Sequence, residues 1–381
     1  MDFDLTREQQ ELKDGAIRFA REELNDKVIE RDRDSVLSRE LVKKCGQFGM
    51  QGAGFPERYG GLDLDIVSTI ALMEGLGYGC TDAGLIFALN GQMWTVQMPL
   101  LKFGSDEQKD HYLTGLCKGD LIGANAMTEP GSGSDAFSLT TTATRDGNYY
   151  ILNGAKTFST LAPLADVFLV YATVDRRKRF MGITAFLVDN RTPGFTIGRP
   201  IEKMGLRTAP FAELGFNNCL IPATNRLGRE GNGATIFEDS IEWERTCILA
   251  GVLGAMKRQL EQCIAYSRQR KQFGKAIGKN QSIANKIVDM TLRLETARLL
   301  LYKAAWTKNA HGKAALDAAM AKLYVSESWV KSCLDAVQIH GGYGYTTEYE
   351  VERDLRDSIG GTLYSGTSEI QRNIIARFLG L

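Results

Sequence analysis

The chain has 381 residues, 44% of them hydrophobic and 24% charged, and its 46 Lys plus Arg are balanced by 46 Asp plus Glu. That length supports two or three domains with substantial cores, and the composition is that of an ordinary soluble globular protein. A formal charge of zero removes any global electrostatic case for nucleic acid or an anionic membrane, and no apolar run approaches the roughly 20 residues of a spanning helix.

The opening stretch, MDFDLTREQQELKDG, is polar and charged and predicts no secretory leader. The cysteines (Cys45, Cys80, Cys117, Cys219, Cys247, Cys263 and Cys333) are odd in number and contain no Cys-x-x-Cys. They read as free thiols of a reducing cytoplasm. His111, His311 and His340 are widely spaced and suggest no metal site. From residue 5 to about 122 the periodicity is helical: Leu12, Ala16, Phe19 and Ala20 share one face of the first helix, and Ser38 is placed to cap another.

From about 123 the texture changes. YYILNGAKTF, DVFLVYATV, GITAFLVDN and AELGFNNCLI are short β-branched or aromatic runs broken by Gly, Asn and Pro, the pattern of a small antiparallel β module. Long helical periodicity returns from about 232, with hardly a breaker, and the last helix is expected to begin on a capping box of Ser368 and Gln371. The layout is α+β, mainly α, with domains expected at 1–122, 123–230 and 231–381.

One carboxylate is conspicuous. In IFEDSIEWERTCILAGVL, Phe237, Ile241, Ile248 and Val252 fall on one helical face, and Glu244 completes that stripe. Such a residue is either satisfied by a core Arg or backbone donors, or kept as a base whose pKa burial raises. The glycine-rich stretches GAGFPERYGG and GGYGYTTEY lack the strand–helix context of a dinucleotide fingerprint. TEPGSGSD (128–135) lies at the start of the β module, where its glycines let backbone approach a flat ligand and Thr128 and Ser134 offer hydroxyls.

Six ordered stretches, LLKFGSDEQK (100–109), AMTEPGSGSD (126–135), NGAKTFST (153–160), SRQRKQFGKAIGKNQSI (267–283), DAVQIHGGYGYTTEYEVERDLRD (335–357) and YSGTSEIQR (364–372), make the sequence resemble the acyl-CoA dehydrogenase family along almost its whole length. The resemblance implies that family's fold, with an N-terminal helical domain, a middle antiparallel β domain and a C-terminal four-helix bundle. It also implies FAD between them and a homotetramer built as a dimer of dimers. By position, Met127, Thr128, Gly133 and Ser134 would line the flavin and its nearby chain. Phe158, where the family often has Trp, would lie against one flavin face, and Thr160 would touch the ring edge. Arg270, Phe273 and Gln281 would come from a neighbouring subunit to the adenine and pyrophosphate end, joined by Gln338, Gly341 and Gly342. Thr367 and Glu369 would hold the diphosphate side within the subunit.

The family's chemistry removes a thioester's α-proton with a Glu while the β-hydrogen leaves as hydride. Most members carry that Glu at the position of Ser365; a minority carry it immediately before an Arg on the bundle's first helix, which here is Glu244 followed by Arg245. Ser365 keeps a backbone N–H for the thioester carbonyl, and Ser134, Arg245, Tyr364 and Gly366 would complete the substrate side. The resemblance is nearest the prolyl–carrier-protein oxidases, so a small acyl group on an acyl or peptidyl carrier protein is expected. DRRKRF (175–180), a basic β–β connection, could dock an acidic carrier or be a solvated tip. The other readings are a short branched-chain acyl-CoA dehydrogenase, a hydroxyacyl–carrier-protein dehydrogenase, a flavin monooxygenase and a non-catalytic binding protein. The sequence leaves the terminal acceptor open between oxygen and an electron-carrier protein.

Overall fold

Side-chain caps set where the N-terminal helices begin. In the computed structural model, which describes residues 4–381, α1 (Arg7–Glu23) opens on a capping box of Thr6 and Gln9 and buries Ala16 and Ala20. After α2 (Val28–Asp34), α3 (Arg39–Phe48) starts at Ser38, whose hydroxyl accepts from the Glu40 N–H at 3.1 Å, as its position suggests. α4 (Ile66–Gly79), α5 (Ala83–Gln92), α6 (Met98–Phe103) and α7 (Asp106–Cys117) complete this region, with α4 and α5 capped by Asp65 and Asp82. No helix among the described residues is long and apolar enough to cross a membrane.

β1 (Gly123–Ala126), β2 (Thr142–Asp146), β3 (Tyr149–Thr160), β4 (Val167–Thr173), β5 (Ile183–Asp189), β6 (Phe195–Pro200), β7 (Phe211–Pro222) and β8 (Arg226–Leu227) form one sheet. Its order is β6-β7-β3-β2-β4-β5-β8, with β1 attached to β4. The four apolar runs of the sequence are β3, β4, β5 and β7. The sheet is not purely antiparallel: β1 runs parallel to β4, Gly123 opposite Val167, and β2 meets β4 in parallel at Thr142. β4 is buried at every position, so it reads as a continuous apolar run rather than an alternating one.

The C-terminal region holds α8 (Gly233–Cys247), α9 (Ala250–Gln269), a ribbon of β9 (Lys271–Gln272) and β10 (Lys275–Ala276), α10 (Gln281–His311), α11 (Ala315–His340), α12 (Val351–Gly360) and α13 (Ser368–Phe378). Two local features differ from the sequence pattern. The apolar stripe from Phe237 to Val252 does not lie on one helix: the chain breaks at Leu249, with φ −92° and ψ 7°, between α8 and α9. The stripe serves two surfaces, since Phe237 packs edge-on to Tyr171 of the sheet while α9 packs against α4. α13 is capped by Thr367, whose hydroxyl accepts from the Ile370 N–H at 3.3 Å, and Ser368 is its first helical residue. The Gln371 side chain reaches back to the carbonyls of Ser365 and Gly366 instead of the cap N–H.

Glycine decides how closely α4 and α9 approach: a Cβ at Gly77 would lie 1.9 Å from the Gly251 carbonyl oxygen, and one at Gly254 would lie 2.0 Å from that of Glu74. One hydrophobic cluster runs through all three regions, from Ala16 through Phe168 to Val351. All seven cysteines are free and buried.

Candidate active site

Glu244 sits one turn before the end of α8, and its main-chain carbonyl accepts from the Ile248 N–H at 2.7 Å. The side chain is buried, and it lines a cavity of about 100 Å³. Phe87 and Thr95 line the same cavity, as do Met127 and Thr128 just after β1 and Phe158 and Thr160 of β3. Burial pushes the Glu244 carboxyl up to about 7, against the opposing pull of the Ser365 hydroxyl, Arg245 and Lys322. The Ser365 hydroxyl stands close enough to exert that pull, yet it completes no hydrogen bond of normal geometry among the described residues.

Ser365 and Gly366 both have left-handed backbones, φ +57° and +86°. For the serine this costs of order 1–3 kcal/mol, so the surroundings must enforce it. They do so through their carbonyls. The Ser365 oxygen accepts from Arg245 Nε at 2.9 Å and Gln371 Nε2 at 3.1 Å; the Gly366 oxygen accepts from Lys322 Nζ at 2.7 Å and Gln371 Nε2 at 2.9 Å. Lys322 is fully buried, and burial together with the nearby Arg245 lowers its ammonium to about 8. Tyr364 packs on Phe87 with ring centroids 4.5 Å apart.

The sheet side is held by a second buried group that pattern reading passes over. Glu129 and Lys156 pair at 2.9 Å; Lys156 also donates to the Met127 carbonyl at 2.9 Å, and Glu129 accepts from the Thr140 N–H and hydroxyl, each at 2.6 Å. Burial opposes the Glu129 charge, but Lys156 and the Thr140 donors outweigh it and hold the carboxyl well below its ordinary range. The Thr157 N–H donates to the Thr128 carbonyl at 2.9 Å, joining this loop to β3. Between Lys156 and Ser159 the register of β3 against β7 shifts, and Phe158 adopts φ +55° and is 58% exposed. Gly133 and Ser134 lie exposed on the loop that carries Thr128 and are not among the residues lining this cavity.

A second, larger groove of about 810 Å³ lies away from Glu244. Arg270, Phe273, Gly341 and Gly342 line it, as do Asn280 and Ser282 on either side of Gln281. Gln281 and Gln338 are exposed near it but do not line it. Thr367 is half-buried at the start of α13, with Glu369 exposed in its first turn. The structure thus separates the sequence-derived residues into a closed group around Glu244 and an open group around Phe273. The residues fit a flat polar cofactor on an observation of their own: Asn125 Oδ1, which lines the Glu244 cavity, is buried without a partner among the described residues, and the Phe158 ring presents an uncovered face.

Comparison with known proteins agrees along the chain. Family models describe residues 6–120 as an acyl-CoA dehydrogenase N-terminal domain, 124–219 as the middle domain and 231–380 as the C-terminal domain. An L-prolyl-[peptidyl-carrier protein] dehydrogenase of Serratia sp. is 43% identical over 381 residues, covering 100% of this chain and 99% of the relative. The crystal structure of the prolyl acyl carrier protein oxidase AnaB matches with a TM-score of 0.98 at 51% identity, over 99% of this chain and 100% of that one. Butyryl-CoA dehydrogenase from Megasphaera elsdenii matches with a TM-score of 0.95 at 39% identity, over 100% of both chains. The chain belongs to the acyl-CoA dehydrogenase family.

Proposed function

We propose that this protein is an FAD-dependent dehydrogenase of a prolyl thioester carried on a peptidyl carrier protein. The observation that carries the reading is Glu244: a buried carboxyl whose pKa burial pushes up to about 7, in the wall of a cavity that Phe158, Thr128 and Thr160 also line. The likeness to prolyl–carrier-protein enzymes over the full chain supports the substrate. A structure titled PigA with FAD and proline, 43% identical with a TM-score of 0.98, supports the cofactor.

FAD, when bound, supplies the acceptor for a hydride. Met127, Thr128, Phe158 and Thr160 would hold its ring, and Gly133 and Ser134 its nearby chain. The protein's own residues do the rest. Glu244, ionised above about pH 7, takes the α-proton of the thioester, whose acidity comes from the adjacent carbonyl. The Ser365 N–H, fixed by the left-handed turn and by Arg245 and Gln371 on its carbonyl side, polarises that carbonyl; Tyr364 and Gly366 shape its surroundings. As the α-proton goes to Glu244 and the β-hydrogen leaves with its electron pair, the bond between those carbons becomes double. Burial excludes water, which keeps Glu244 basic and the acceptor for the β-hydrogen dry.

The open groove is read as the adenosine end of the cofactor site. Arg270, Phe273 and Gln281 would act toward a neighbouring subunit's FAD, with Gln338, Gly341 and Gly342 beside them and Thr367 and Glu369 on the diphosphate of their own. This reading includes a homotetramer. Mixing the yellow protein with prolyl-loaded carrier protein, and separately with short acyl-CoAs, tests the proposal. Flavin bleaching with the prolyl carrier and a product two hydrogens lighter are expected. Bleaching by branched acyl-CoA alone would replace the substrate, and no bleaching by any thioester would overturn the reading.

A further inference from the structure

Two cavities share a single aromatic residue. The Glu244 cavity and a separate chamber of about 20 Å³ both have Phe87 in their walls. The rest of the chamber is mainly apolar, with Ile86, Leu206, Val252, Trp329 and Tyr364 among its lining, and no charged side chain among the described residues faces it. A space of that size holds about one water, and an apolar one stays dry. It therefore offers an acyl chain nothing unless its partition from the Glu244 cavity is removed. That partition is Phe87, set against Tyr364 at 4.5 Å with the rings tilted by 36°.

We propose that the Phe87–Tyr364 pair is the end wall of the acyl pocket, so that the site takes thioesters of a small ring or short branch and rejects straight chains. This rests on the reading of the protein as an acyl-thioester dehydrogenase. The wall is held from three sides. Asp82 caps α5 through the Leu85 N–H at 2.9 Å and also accepts from the Thr208 hydroxyl, tying Phe87's helix to the loop that carries Leu206. Leu206 is buried with φ +49°, and its N–H donates to Asp357 Oδ1 at 2.5 Å. It packs so tightly on α12 that a Cβ at Gly360 would lie 3.0 Å from its side chain. Behind the pair, the Tyr364 N–H donates to the Gly360 carbonyl at 3.1 Å, and the Lys322 ammonium stands 5.9 Å from the Tyr364 ring centre. A straight chain cannot displace these groups cheaply, because core packing does not yield continuously.

The test uses the full-length FAD-loaded protein, prolyl-loaded carrier protein, and butyryl-, hexanoyl- and octanoyl-pantetheine. Wild type is expected to bind octanoyl-pantetheine too weakly for calorimetry and to oxidise it at least ~100-fold less efficiently than the prolyl carrier, since pockets discriminate by about 10–200-fold per methylene. Phe87→Ala joins the two spaces. It should give measurable octanoyl binding and raise kcat/KM for that thioester at least ~10-fold, with a crystal structure showing one continuous cavity. Phe87→Leu, which keeps apolar bulk in the core, should shift the preference toward hexanoyl and carries the test if the alanine variant does not fold. Wild type accepting octanoyl as well as prolyl would overturn the wall. So would folded, yellow variants that gain no binding of any straight-chain thioester. If wild type turns over no thioester at all, the parent reading fails, and the calorimetric comparison still judges the wall.

Discussion

The Glu244 cavity and the Phe273 groove are built in opposite ways. Around Glu244 the groups are buried, and the main-chain carbonyls of Ser365 and Gly366 are each fixed by two side chains. Around Phe273 little is closed: that residue is 97% exposed on a backbone with φ +51°, and a Cβ on Gly274 would meet nothing within 4 Å. Arg270 lies 5.7 Å from the Tyr343 ring of its own groove. A strained backbone that presents an uncovered aromatic is not repaid within one chain. Under the proposed function, the chemistry is finished inside the subunit, whereas the far end of the cofactor site would be left for another subunit to complete.

The sharpest way to break this contrast is at the closed end. Glu244→Gln keeps shape but cannot take a proton; it should retain FAD and slow flavin reduction by at least ~10²–10⁴-fold in rapid mixing. Reduction at the native rate would remove the base from Glu244. In wild type, kcat/KM should climb with pH through about 7, where Glu244 ionises. Stability moves the other way. Burial raises the folded-state pKa, so the neutral form is favoured and its contribution is fully present near pH 4 and lost as pH passes about 7. Glu244→Gln should therefore melt above wild type at pH 8, and the gap should close in acid.

The open end is tested by Arg270→Ser with Phe273→Ser. If a second chain completes the groove, the double variant should retain FAD ~10-fold more weakly and run at a smaller assembly size on gel filtration, while the Glu244 cavity stays intact. Unchanged assembly and unchanged flavin content would make the exposed turn a mere surface loop. A third region, the connection between β4 and β5, is also exposed. There Arg176 donates to the Thr140 carbonyl at 2.6 Å and Arg177 pairs with Asp175 at 3.1 Å. Replacing Arg176, Arg177 and Lys178 by Ser should raise KM for carrier-bound substrate several-fold, on the order of 1 kcal/mol, flatten its salt dependence and spare small thioesters. The smallest effect is expected back at the closed end. Ser365→Ala should cost no more than ~5-fold in flavin reduction, because the proposed donor is its N–H and one neutral hydrogen bond is worth about 1 kcal/mol.

How much of this the sequence carried depended on whether a residue's role is local. Thr128, Phe158 and Glu244 stand in motifs or stripes, and all three line one cavity. The four strands with apolar runs were legible, whereas β1 and β8, four and two residues long, are too short to show alternation. The break at Leu249 escaped because apolar residues continue through it while the packing partner changes. Lys322 had a readable signal, a lysine at helix spacing among Ala318, Val325 and Trp329, all buried, but its partner is the Gly366 carbonyl on a distant loop. The Glu129–Lys156 pair spans two motifs, each explained without it, and only their meeting in space gives it meaning.

The cysteines have a use that their burial creates. They are spread over α3, α7, β7, α8, α9 and α11 and at the end of α4, and burial raises every one of the seven thiols above its ordinary pKa. Alkylation needs an accessible thiolate, so the native protein should be inert to iodoacetamide, and each modification event marks a moment when that stretch of chain opened. Mass mapping of the labelled sites over time would then read seven clocks at once, ordering the regions by how readily they open. The same silence leaves a cysteine introduced on the surface as the only fast-reacting thiol in the molecule.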